Sequence, residues 1–244
     1  MGKVKKIVFI FVAIILLAGC DTKNSNTSQA KEITDEVILG TIRNNISSLD
    51  NISKTSELYT KGSGQASDYT ADEKLRYGLD SAITSRASSD LTAEQLQSIK
   101  EKQLLNITSV VSVEEAQGYV SNLFGPTTLK HANVEGCPSY IYDETEKLYY
   151  VQEGCTKEVT SSPISFVDRV TNKDNIYYVT AYVGLIDGTK VYSDFNKSKI
   201  VKELDLNELY EITDDNKEEF SKYTYTFTKN SNGSYVFTEL KKAS

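Results

Sequence analysis

Three cysteines, one histidine and 34 acidic side chains bound the chemistry open to this 244-residue chain. Cys137 and Cys155 flank two short runs, Tyr140-Ile141-Tyr142 and Leu148-Tyr149-Tyr150-Val151, with polar Glu144-Thr145-Glu146-Lys147 between them. The runs read as the two strands of a hairpin. Antiparallel pairing centred on Glu146 sets Cys137 opposite Cys155, so a structural disulfide is predicted. A closed loop of that length stabilises by about 3 kcal/mol through the unfolded chain. A redox role needs a low-pKa thiol in a Cys-X-X-Cys setting, and neither cysteine has one.

His131 is the only histidine, which excludes a His₂ or His₃ zinc site within one chain. A Ser-His-Asp arrangement would have to use it, yet Leu129-Lys130-His131-Ala132-Asn133 carries no such motif, and His131 reads as an ordinary surface residue. The chain has no Gly-x₄-Gly-Lys-Ser/Thr, Gly-x-Gly-x-x-Gly or Gly-x-Ser-x-Gly. Gly62-Ser63-Gly64 lacks a third glycine and a preceding strand. The acidic stretch from Asp205 to Glu219 lacks the Asp-x-Asp-x-Asp-Gly order and the bend glycine of a calcium loop. Two carboxylates suffice for glycoside hydrolysis, but nothing in the sequence picks a pair. No catalytic residue, metal site or cofactor is assigned.

Tyrosine supplies 16 of the aromatic residues, and tryptophan is absent. On the cysteine-flanked hairpin, the same pairing puts Tyr140, Tyr142 and Tyr150 on one face and Ile141, Tyr149 and Val151 on the other. An exposed tyrosine face suits sugar rings or peptide side chains, because the ring is rigid and apolar with a polar tip. Tyrosine is also a good strand residue, so packing is the favoured reading. Tyr140, Tyr142 and Tyr150 are the candidate ligand contacts.

The N-terminus carries an address. Lys3, Lys5 and Lys6 precede an apolar run from Ile7 to Leu17, the order of a secretory signal. That run is too short for a hydrocarbon core that needs about 20 residues. Leu17-Ala18-Gly19-Cys20 then resembles the lipobox of bacterial lipoproteins. The resemblance covers the first 20 residues and implies that residues 1–19 are removed and that Cys20 is lipidated. Two acyl chains are enough for stable anchoring. The implied location is the extracytoplasmic face of the cell membrane. The mature part has 24 basic against 34 acidic residues, which argues against nucleic acid as a partner and against electrostatic attachment to anionic lipid.

The elements that must position these residues fall into two halves. Residues 20–31 are polar and read as a flexible tether. Residues 32–125 carry helix signals: a stripe of Ile33, Val37, Ile38, Ile42, Ile46 and Leu49, and three capping boxes at Thr70-Glu73, Thr92-Gln95 and Ser112-Glu115. Residues 58–69 read as a loop, and Gly125-Pro126 stops the last helix. Residues 137–241 switch to a period of two, with Asp187-Gly188 and Asn232-Gly233 as hairpin turns. Residues 199–221 read as partly helical. The fold class is α+β: about four helices packed with an antiparallel sheet of about seven strands, in a single domain over 32–244.

The leading functional expectation is a lipid-anchored, non-catalytic surface binding or envelope-interaction module, with an envelope glycan or protein as partner. The alternative is an extracytoplasmic hydrolase acting on glycan or peptidoglycan through Asp and Glu. The solute-binding subunit of an importer ranks third, because the chain lacks βαβ alternation.

Overall fold

Asp35 opens helix α1 (Glu36–Asp50) by accepting the N–H groups of Val37 and Ile38 on its carboxylate. The computed structural model describes residues 30–86, 91–154, 161–205 and 208–243. Cys20 with its leader, and Cys155, lie outside the described residues. Along α1, Ile42, Ile46 and Leu49 are fully buried, as the spacing predicts. Val37 is not part of the stripe: it sits in the first turn and is 79% exposed.

Helix α2 (Ser53–Lys61) occupies part of the segment read as a loop. Leu58 and Tyr59 are buried there, and that burial outweighs a Ser- and Thr-rich composition. Gly62 ends the helix in the left-handed region at φ 76°. Helices α3 (Ala71–Thr84) and α4 (Ala93–Glu101) each begin with a complete capping box, from Thr70 and Thr92. Helix α5 (Val113–Phe124) keeps half of its box: Ser112 Oγ accepts the Glu115 N–H at 3.1 Å. The Glu115 carboxylate turns instead to the guanidinium of Arg86. Helices α3 and α5 cross at Gly78, where an added Cβ would lie 2.5 Å from the Ala116 carbonyl oxygen.

The strands form two antiparallel sheets. The larger is built from β1 (Lys31–Glu32), β2 (Ser63–Gln65), β6 (Ser161–Lys173), β7 (Ile176–Asp187), β8 (Lys190–Tyr192), β9 (Ile200–Glu203), β10 (Ser221–Lys229) and β11 (Tyr235–Lys242). Its order is β1-β6-β7-β10-β11-β2, with β8 continuing from β7 and β9 from β8. The smaller sheet has the order β3-β5-β4, from β3 (Ile107–Ser112), β4 (Ser139–Asp143) and β5 (Leu148–Gln152). The α+β class and the antiparallel hairpins agree with the sequence reading. The counts do not: the described residues contain five α-helices and eleven strands. Residues 199–221 supply β9 and a 3₁₀ turn at Lys217–Glu219 rather than an α-helix.

One apolar cluster joins both sheets to the helices. It takes Ile42, Ile46 and Leu49 from α1, Leu75 and Leu79 from α3, Val120 and Leu123 from α5, and Tyr223, Tyr225 and Phe227 from β10. Tyr140, Tyr149 and Val151 of the smaller sheet belong to the same cluster. A second cluster of Tyr182, Val191, Ile212 and Phe220 packs on the opposite face of the larger sheet.

The β4–β5 hairpin corrects the predicted register. Asp143 pairs with Leu148 across a four-residue turn. Asp143 Oδ1 accepts the N–H groups of Thr145 and Glu146, both at 2.9 Å, and Lys147 takes φ 55°. A turn with an even number of residues moves the pairing by one place from a centre at Glu146. Tyr142 therefore faces Tyr149, and Ile141 faces Tyr150. Directly opposed residues share a face, so Tyr150 leaves the face of Tyr140 and Tyr142.

Candidate functional site

The three tyrosines singled out by sequence do not form an exposed platform. Tyr140 is 1% exposed, its hydroxyl donates to Asp80 of α3, and Arg76 lies over its ring. Tyr150 is also 1% exposed. Helix α4 covers it: its hydroxyl lies 2.8 Å from Ser98 Oγ and donates to Glu146 at 2.9 Å. Tyr142 is half-buried and stacks against Tyr149 and His131. The hairpin is thus covered on both faces. His131 Nδ1 lies 2.8 Å from the Tyr149 hydroxyl. Burial, reinforced by the charge of Lys147, lowers the His131 pKa and favours the neutral ring. Cys137 is half-buried just before β4, and the ladder stops at Ser139–Gln152.

The constellation with chemical potential lies elsewhere, in a cleft of about 670 Å³ between α1 and β6. The helix wall is polar: Arg43, Asn44 and Ser47 on the exposed face of α1, continued by Asn51, its C-terminal cap. The strand wall is Ser162, Pro163, Ser165, Phe166 and Val167, and Asp214 stands on the rim. Asp50, the last residue of α1, contributes the inner carboxylate.

Both oxygens of Asp50 are engaged. Ser165 Oγ donates to Oδ2 at 2.8 Å, and the Tyr59 hydroxyl donates to Oδ1. The Tyr225 hydroxyl in turn bonds to the Tyr59 hydroxyl. With the Tyr59 hydrogen committed to Asp50, Tyr225 must donate. The result is a directed chain from the middle of the larger sheet to the cleft, through two tyrosines that are each 1% exposed or less. Tyr59 is fixed by the ring of Phe195 at 4.7 Å, and its backbone carbonyl accepts the Tyr223 hydroxyl at 2.9 Å.

Burial pushes the Asp50 carboxyl up to about 6, against the opposing pull of the Tyr59 and Ser165 hydrogen bonds. Burial, with the charge of Asp50 next, drives both tyrosine pKa values well above their ordinary value. They stay neutral donors. Asp50 thus changes from carboxylic acid to carboxylate at about pH 6, and a raised carboxyl pKa is common at functional sites. Asp214 is the other acid lining the cleft. It is already ion-paired with Lys217 at 2.8 Å, and Lys217 also holds Asp168. Among the described residues, no group of three or more His, Cys, Asp or Glu is placed to hold a metal ion.

Sequence reading missed Asp50, Tyr59, Ser165 and Tyr225, of which Tyr59 and Tyr225 alone lie 166 positions apart. The one local signal was an acid ending an apolar stripe at Leu49-Asp50. Among the described residues, no helix is long and apolar enough to cross a membrane. No family model, curated protein or solved structure matches this chain.

Proposed function

We propose that this protein is a lipid-anchored, extracytoplasmic binding module whose ligand occupies the α1–β6 cleft. The cleft wall carries this reading. It combines four polar side chains along α1 and its C-terminal cap, a half-buried carboxyl with two committed donors and one aromatic ring, Phe166. Ligand sites typically pair an apolar floor with a few convergent polar groups in volumes of about 300–1,000 Å³. The basic and apolar leader ending in Leu17-Ala18-Gly19-Cys20 supports the address. The Cys137–Cys155 disulfide is proposed as a staple below the β4–β5 hairpin. The observed ladder ends two residues from Cys137 and three from Cys155.

Two measurements test the reading. Cys20→Ser moves the protein from the membrane fraction to the soluble fraction; retention on membranes removes the anchor. Ser47→Trp, on the exposed face of α1, fills the cleft and abolishes ligand capture by otherwise folded protein. Unchanged capture would place the site elsewhere.

The raised pKa of Asp50 favours a second reading, an acid-dependent hydrolase with Asp50 as proton donor. It ranks below binding because Asp214, the second acid of the cleft lining, is held in an ion pair with Lys217. Hydrolysis of a glycan by wild type and not by Asp50→Asn would reverse that order.

A further inference from the structure

Strand β6 has 13 residues, yet β1 pairs with only Thr171 and Asn172 of it. One further bond, from Ile33 N–H to the Val170 carbonyl at 2.9 Å, closes that contact. The chain then leaves the sheet at Asp35 and becomes α1. Among the described residues, no strand pairs with Ser161 to Arg169 on the side away from β7.

The α1–β6 cleft lies along this open edge. Ser165 and Val167 stand opposite Val183 and Ala181, which face the main core, while Phe166 stands opposite Tyr182, which faces the second cluster. Residues from both faces of one strand can line a single cleft only if the cleft follows the strand's edge. Its other wall is the polar face of α1. The space therefore continues the track of β1 along β6 after the chain has turned away.

We propose that this cleft takes an extended peptide of another protein, added as an antiparallel or parallel strand on the Ser161–Arg169 edge of β6. This rests on the reading that the cleft is the ligand site. Main-chain hydrogen bonds to an open edge give such additions their affinity, and flanking side chains give selectivity. Asn44, Ser47 and Asn51 offer side-chain partners to the outer edge of the incoming strand. Pro163 has no N–H to offer, which limits the registers available and protects the edge from indiscriminate pairing. Charge favours a segment with a basic residue. Asp50 and Asp214 line the cleft; Lys217, which pairs with Asp214, is shared with Asp168, and Arg43 faces Glu36 at 3.6 Å, so among the described residues the acids around the cleft are in excess.

The test uses full-length protein purified from membranes in mild detergent. The probes are the blocked hexapeptide Thr-Val-Lys-Val-Thr-Val, the same peptide N-methylated at alternate residues, and a β-linked hexasaccharide. The plain peptide is expected to bind and to shift the amide resonances of Ser162 and of Ile164 to Val167. The N-methylated peptide should bind at least about tenfold more weakly, because the three N–H groups along one edge of the strand are lost. Ser47→Trp, or Asn44→Trp should the first variant fail to fold, should weaken the peptide by a similar factor with an unchanged melting temperature. Equal binding of the N-methylated peptide overturns strand addition and leaves the cleft standing. So does binding of the hexasaccharide alone, blocked by the tryptophan variants. Peptide binding that neither tryptophan variant weakens overturns both the strand addition and the cleft. Failure of the plain peptide to bind at millimolar concentration overturns strand addition.

Discussion

Ser165 of β6 donates its hydroxyl hydrogen to Asp50 at the end of α1, 2.8 Å away and 115 positions distant in sequence. That bond and the one from Tyr59 fix the carboxylate in the wall of the cleft. They also tie the last turn of α1 to the sheet where, among the described residues, no strand pairs with β6 on the side away from β7.

Asp50 should leave a signature in the pH dependence of stability. Its folded pKa is raised to about 6 from an ordinary value of 3.8. The folded state therefore holds a proton that the unfolded chain has released between those two values. The sign follows from linkage: this group's contribution is fully favourable below pH 3.8 and is lost as pH rises through 6. The loss is at most about 3 kcal/mol. Urea unfolding of wild type and Asp50→Asn across pH 4 to 7 isolates it. The stability of wild type relative to the variant should fall over that range, and a flat difference would refute the assignment.

Tyr59→Phe removes one donor from Asp50 and the acceptor of Tyr225. Leaving buried polar groups without partners costs about 1–3 kcal/mol. Because the Tyr59 hydrogen bond lowers the Asp50 pKa, its loss should raise that pKa further. Carboxyl-detected NMR titration reads the shift directly, and a fall would contradict the hydrogen-bond direction.

Two glycines should respond with opposite signs. At Gly78, a methyl group would meet the Ala116 carbonyl oxygen at 2.5 Å and Val120 Cγ2 at 2.8 Å. Gly78→Ala should destabilise by about 1–3 kcal/mol, since overpacking forces α3 and α5 apart. At Gly118, on the exposed face of α5, nothing lies within 4 Å. Gly118→Ala should stabilise by about 0.5–1 kcal/mol through helix propensity. Denaturant midpoints of the two variants settle the contrast.

Arg86 spans two elements, pairing with Glu115 of α5 and donating to the Val110 carbonyl at 2.6 Å. It is a bidentate, half-buried pair, unlike the exposed ones. Arg86→Gln should cost about 1–2 kcal/mol, and the cost should persist in high salt. A loss that vanishes with added salt would reduce it to an ordinary surface pair.

Much of the architecture was written locally. Thr70-Glu73 and Thr92-Gln95 mark helix starts because the reciprocal bonds involve only neighbours. Gly125 stops α5 for the same reason. Strand β3 escaped notice although Ile107-Thr108-Ser109-Val110-Val111 is rich in β-branched residues, because it runs directly into the Ser112 cap. The tyrosine hairpin was found, but its register turned on one side chain: Asp143 caps a four-residue turn, and a shift of one place moves every residue to the other face. The cleft was not legible at all. Asp50, Tyr59, Ser165 and Tyr225 meet only once α1, α2, β6 and β10 have packed, and no spacing in the chain encodes that meeting.

The short β1 strand has a mechanical implication. It hands the chain straight to α1 through Asp35, and its hold on the sheet is short: the contact with Val170, Thr171 and Asn172, the Glu32–Arg169 ion pair and the packing of Ile33 on the core. Tension on the head of the polypeptide is therefore delivered, once those contacts yield, to the helix that walls the cleft, so the spacing between α1 and β6 should widen under load.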